Sequence, residues 1–119
     1  MSLFASWIRI GLILGITAGV VDARQPVQGV DYLSQIKPIL STKCYACHGV
    51  LKQKAKLRLE TRALMLKGKV IVPGKAGESL LIERILDEGD DRRPPMKEGS
   101  ALKADEITLL RQWIDQGAK

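Results

Sequence analysis

The sequence is poor in the residues that most site chemistry needs. In 119 residues it has one histidine, His48, and two cysteines, Cys44 and Cys47. A single histidine excludes any metal site within the chain that requires two imidazoles. Two cysteines make at most one bridge, which excludes a disulfide-dense scaffold. Aromatic residues are just as scarce: Phe4, Trp7, Tyr32, Tyr45 and Trp113 complete the set. No strand pattern emerges, because the only candidate, Val70–Val72, is too short. No uncharged apolar run reaches the roughly 18–20 residues that span a bilayer. There is no internal repeat and no low-complexity tract, and the length allows one domain, not a two-domain enzyme.

What is present begins with a leader. Arg9 supplies a positive segment, Ile10 to Val21 is an apolar run of 12 residues, and Val21-Asp22-Ala23 has the small or short apolar residues of a cleavage site. Residues 1–23 are expected to be a signal peptide, the other reading being an uncleaved membrane anchor. Against the anchor stand the short run and its interruption by Gly11, Gly15 and Gly19. Cleavage would leave an exported domain, residues 24–119, with 18 basic and 12 acidic residues and three aromatics. Export places it in an oxidising compartment, where a cysteine pair is bridged or otherwise engaged.

Along that domain the apolar periodicity predicts short helices separated by long loops. Asp31 caps a helix over 32–41, with Pro38 set to kink or restart it. Further helices are expected over 60–67, closed by Gly68, over Ser79 to Leu86, and over 104–116. The last has Asp105 and Glu106 in its first turn and the apolar face Ile107, Leu110, Trp113 and Ile114. The expected class is all-α. Such a chain buries little surface for its size and contains few large side chains, so its interior calls for a staple or a cofactor.

Cys44-Tyr45-Ala46-Cys47-His48 names the cofactor. C-x-x-C-H is the attachment signature of c-type haem: two thiols three residues apart form thioethers with the vinyl groups, and the following histidine supplies a proximal ligand to the iron. The other uses of the motif fit less well. A thioredoxin-like pair needs a βαβ setting and a structural zinc needs a fourth ligand, which leaves a plain Cys44–Cys47 disulfide as the alternative.

With the helix running into KCYACHG, the segments LRLETRALMLKG and VIVPGKAGESLLIERI, the RPP run and LKADEITLLRQWIDQGA, the domain resembles the planctomycete-type cytochrome c, a branch of the small class I-like cytochromes. The resemblance extends over roughly Val30 to Ala118. It implies a helical fold around one covalent haem held by Cys44 and Cys47, with His48 as proximal ligand and a distal methionine from the loop before the last helix. In the family that methionine directly precedes the paired prolines. Here Arg93 stands there and Met96 follows Pro94-Pro95. Met96 is the expected sixth ligand. An open site, or Met65 from an apolar helical stretch, are the alternatives. Softer expectations are that the Pro73 carbonyl accepts the second ring N–H of His48, that Trp113 packs near Ile36 and the haem edge, and that Arg92 or Arg93 pairs with a propionate.

Charge is asymmetric. Residues 52–75 carry eight basic side chains against Glu60, and residues 76–91 carry six acids against Arg84. Beside a haem edge such a basic patch steers an acidic redox partner, although a solvated face is its plainest explanation. Export and the lack of interleaved aromatics argue against nucleic acid. The reading favoured by these observations is an exported mono-haem electron carrier, not an enzyme, with no membrane span after cleavage. Its rivals are a five-coordinate ligand-binding or sensor haem protein, a haem subunit of a larger redox complex, and a small module stapled by a disulfide.

Overall fold

The computed structural model describes residues 28–95, 97 and 100–119. The expected leader and Met96 lie outside the described residues. The Asp31 carboxylate accepts the Ser34 N–H at 2.7 Å, which starts the first helical segment at the expected residue. A wide π-helical turn, Tyr32–Ile36, comes first, and α1 (Lys37–Lys43) follows directly. Pro38 falls in the first turn of α1, where its missing N–H leaves no bond unmade. The proline therefore restarts the helix: the Lys37 N–H reaches back to the Tyr32 carbonyl, and a regular ladder begins only beyond it.

Helix α2 (Arg62–Lys67) is capped by the Thr61 hydroxyl, which accepts the Leu64 N–H, and ends at Gly68. Helix α3 (Leu80–Leu86) follows a 3₁₀ turn, Ala76–Glu78. The buried Ser79 joins these segments, its hydroxyl accepting the Val72 N–H and donating to the Lys75 carbonyl, both at 2.9 Å. Helix α4 (Ala104–Asp115) starts at Lys103, whose N–H donates to the Glu106 carboxylate at 2.7 Å. It ends before Gly117, which takes a left-handed φ of 102° that glycine adopts without steric cost.

The core lies where α4 crosses the N-terminal segment and α3. Ile36, Leu40, Met65, Ile82, Leu110, Trp113 and Ile114 are its largest fully buried apolar side chains. Trp113 packs on Tyr32, with ring centroids 5.4 Å apart and planes tilted by 34°. Its indole N–H donates to the Lys119 carbonyl at 2.9 Å. The loop from Gly68 to Ala76 is tied to the end of α4, because the Gly74 N–H donates to the Ile114 carbonyl at 2.7 Å and the Ala76 N–H to the Asp115 carboxylate at 2.8 Å. The fold is all-α, with no strand among the described residues beyond an isolated bridge between His48 and Gln53. Among the described residues no helix is long and apolar enough to cross a membrane.

Candidate functional site

The end of α1 delivers the cysteine motif. The Cys44 N–H closes on the Leu40 carbonyl at 2.8 Å, and the His48 N–H then reaches the Cys44 carbonyl at 3.0 Å, so the five motif residues form one tight turn. Gly49 makes this turn possible. A β-carbon there would stand 2.5 Å from the Tyr45 carbonyl oxygen, and that oxygen is backbone, with little freedom to retreat. Gly49→Ala is therefore expected to destabilise the domain by roughly 1–3 kcal/mol, read from denaturant midpoints. Beyond Gly49 the chain doubles back. The Gly49 N–H donates to the Lys52 carbonyl at 2.8 Å, the Lys54 N–H to the Cys47 carbonyl at 2.8 Å, and the Leu59 N–H to the His48 carbonyl at 2.9 Å.

Inside this frame is a cavity of about 580 Å³. Cys44, Cys47 and His48 form one part of its wall; Leu57, Leu59, Val70, Leu81, Ile85, Pro94 and Pro95 form much of the rest. Among the described residues the charged side chains in the lining are cations: Lys43, Lys54, Arg84 and Arg93. A space of this size, mostly apolar with a few placed polar groups, falls within the roughly 300–1,000 Å³ of cofactor sites. Cys44 and Cys47 form no disulfide. Burial, and secondarily the neighbouring Cys47, push the Cys44 thiol up to about 11, so it is held protonated at neutral pH. The His48 Nδ1–H donates to the Lys54 carbonyl at 3.1 Å, which leaves Nε2 as the ring nitrogen able to bind a metal. Among the described residues no three His, Cys, Asp or Glu side chains are grouped to hold a bare metal ion.

The structure thus brings Cys44, Cys47 and His48 together and sets aside several softer expectations. The carbonyl that meets His48 is that of Lys54, not Pro73; Lys54 lies six positions beyond His48 and is local to the motif, whereas Pro73 belongs to the segment tied to α4 and does not line the cavity. Trp113 is buried against Tyr32 near Ile36's helical turn but is absent from the cavity wall. Met65 is fully buried in the core and likewise does not line the cavity. Arg93 does line it, with its backbone N–H held by the Arg84 carbonyl at 2.8 Å and its guanidinium donating to the Arg92 carbonyl at 2.8 Å, whereas Arg92 is not in the lining. Arg84, in the wall beside it, pairs with Asp91 at 3.0 Å. Sequence reasoning missed Gly49 and Lys54. The spacing that marks a motif says nothing about which backbone groups close on it.

A family model described as Planctomycete cytochrome C matches residues 44–97, from the first cysteine of the motif to the residue after Met96. Over this stretch the chain is similar to planctomycete-type cytochrome c domains. The resemblance read from the sequence is borne out over residues 44–97, and covalent haem c is the group such a domain implies. Comparison of the chain with curated proteins and with solved structures gives no match. The described residues fit the group: a thiol pair at one wall, a histidine with one ring nitrogen already engaged, an apolar enclosure, and cations able to meet two carboxylates.

Proposed function

We propose that the chain is an exported mono-haem cytochrome c that carries one electron at a time. The observation that supports this most directly is the cavity walled by Cys44, Cys47 and His48 together with apolar side chains. In this reading the two thiols hold the haem as thioethers and His48 Nε2 serves as proximal ligand. When bound, the haem supplies a one-electron couple between Fe(III) and Fe(II), tuned by its axial ligands and by the dryness of its surroundings. The chain's own part is to bind, orient and shield. Leu57, Leu59, Val70, Leu81 and Ile85 keep water from the interior, and Arg93 and Arg84 offer charge to the propionates. The leader, residues 1–23, and the need to attach haem outside the cytoplasm support a periplasmic or otherwise exported location.

Met96 is the proposed sixth ligand. Its neighbour Pro95 lines the cavity, and Met65, the other methionine of the domain, is fully buried in the core. Met96→Ala is expected to give a protein that still holds haem covalently but loses the weak iron–methionine charge-transfer band of the oxidised form. Its reduction potential should fall, since a thioether favours Fe(II). An unchanged spectrum and potential would leave Met96 without this role. Rapid CO binding by the unaltered reduced protein would turn the assignment toward the sensor reading, with Arg93 in place of a methionine and the sixth position open.

The partner proposed for the carrier is an acidic redox protein. Supporting it are the cations at the cavity wall and the basic run over residues 52–75. Electron-transfer rates with such a partner are expected to fall as ionic strength rises, the signature of charge steering. A rate independent of salt would remove steering from the account.

A further inference from the structure

Lys54 is tied into the motif through its backbone at both ends. Its N–H donates to the Cys47 carbonyl at 2.8 Å. Its carbonyl accepts twice, from the Leu57 N–H at 3.0 Å and from His48 Nδ1 at 3.1 Å. A carbonyl oxygen has two lone pairs, and here both are used. The two residues that follow are unusual. Ala55 and Lys56 take φ values of 55° and 57°, the left-handed region that residues bearing a β-carbon enter only when their surroundings require it. Neither is a glycine or an asparagine, so nothing intrinsic to these side chains asks for the turn. Ala55 also lines the cavity.

We propose that the left-handed pair Ala55–Lys56 is a positioning device: it aims the Lys54 carbonyl at His48 Nδ1, fixing the orientation of the ring and its strength as a donor to iron. Strain retained at a site is the mark of a geometry that the surroundings over-determine. A hydrogen bond to the outer nitrogen of a metal-binding imidazole fixes the tautomer and raises basicity. A more basic imidazole stabilises Fe(III), so this device holds the reduction potential down. The inference rests on the haem reading given above, and its test separates the two.

The test uses the holoprotein and two substitutions. Ala55→Pro locks φ near −65°, which the native turn cannot accept, so the Lys54 carbonyl must turn away. Ala55→Gly keeps the turn, since glycine enters this region freely. The readouts are the exchange rate of the His48 Nδ1 proton by NMR and the reduction potential. In the unaltered protein this proton is expected to be protected. In Ala55→Pro exchange should quicken by about tenfold or more and the potential should rise, while Ala55→Gly should match the parent in both. Unchanged proton exchange and potential in a folded, haem-bearing Ala55→Pro protein would overturn the proposal. If that variant does not fold, the parent alone decides, because a His48 ring proton exchanging at the solvent rate overturns the proposal as well. A parent protein without covalent haem would instead contradict the proposed function, a result visible in its mass before any of these readouts is taken.

Discussion

Replacing Cys44 and Cys47 together by serine is expected to abolish covalent haem, from one group per chain to none, and to leave a domain that is poorly stable without it. The first expectation follows from chemistry: a hydroxyl does not take the place of a thiol in forming the thioether. The second follows from volume. The domain has a cavity of about 580 Å³ where a chain of this size would otherwise place large side chains, and Tyr32, Tyr45 and Trp113 are its only described aromatics. A ligand that binds the native state stabilises it by mass action, and covalent attachment makes that contribution independent of free ligand. The variant should therefore bind added haem only loosely, lose it on dialysis, and unfold at lower denaturant concentration than the parent. Mass spectrometry and a urea titration read the two effects separately. Covalent haem retained in the double variant would place attachment elsewhere.

Trp113→Ala should have the largest effect on stability with the least effect on the site. Trp113 is 1 % exposed, stacks on Tyr32 and donates to the Lys119 carbonyl. Removing so large a buried side chain costs about 3–5 kcal/mol. In a domain of this length that lowers the melting temperature by roughly 12 °C or more. Because Trp113 does not line the cavity, the reduction potential of the surviving folded fraction should remain that of the parent. A potential that moved with Trp113 while stability did not would place the indole beside the cofactor, contrary to the packing described here. Trp113→Phe keeps the ring and the stack and should recover most of the loss.

These two sites also show where the sequence was informative. The cysteine motif is read by spacing alone, because five consecutive residues carry its chemistry and the turn that presents them is local. The four helices were legible for a similar reason: Asp31, Gly68, Glu106 and Gly117 act on neighbours within a turn, and the apolar residues repeat at helical spacing. Trp113 was legible as core but not as remote from the cavity, since which neighbour a buried ring meets depends on how α4 crosses the N-terminal turn. The π-helical form of that turn was hidden too, although Pro38 was expected either to kink or to restart the helix. Pro73 was a reasonable source of a carbonyl acceptor for His48, being a turn residue in a loop, yet the Lys54 carbonyl is closer along the chain. It is presented by a left-handed pair that sequence patterns would have sought at glycine or asparagine. Gly49 carries no signal of its own in the sequence, and only the proximity of the Tyr45 carbonyl shows why a β-carbon cannot stand there.

The most direct test of the central claim is the visible spectrum of the purified protein, produced in a host that matures c-type haem and recorded oxidised and then reduced. The account predicts a haem that stays with the chain on denaturation, a low-spin spectrum in both states, and a weak charge-transfer band from iron–methionine bonding in the oxidised form. A protein that emerges without covalent haem, although matured alongside a cytochrome c that acquires it, would contradict the account.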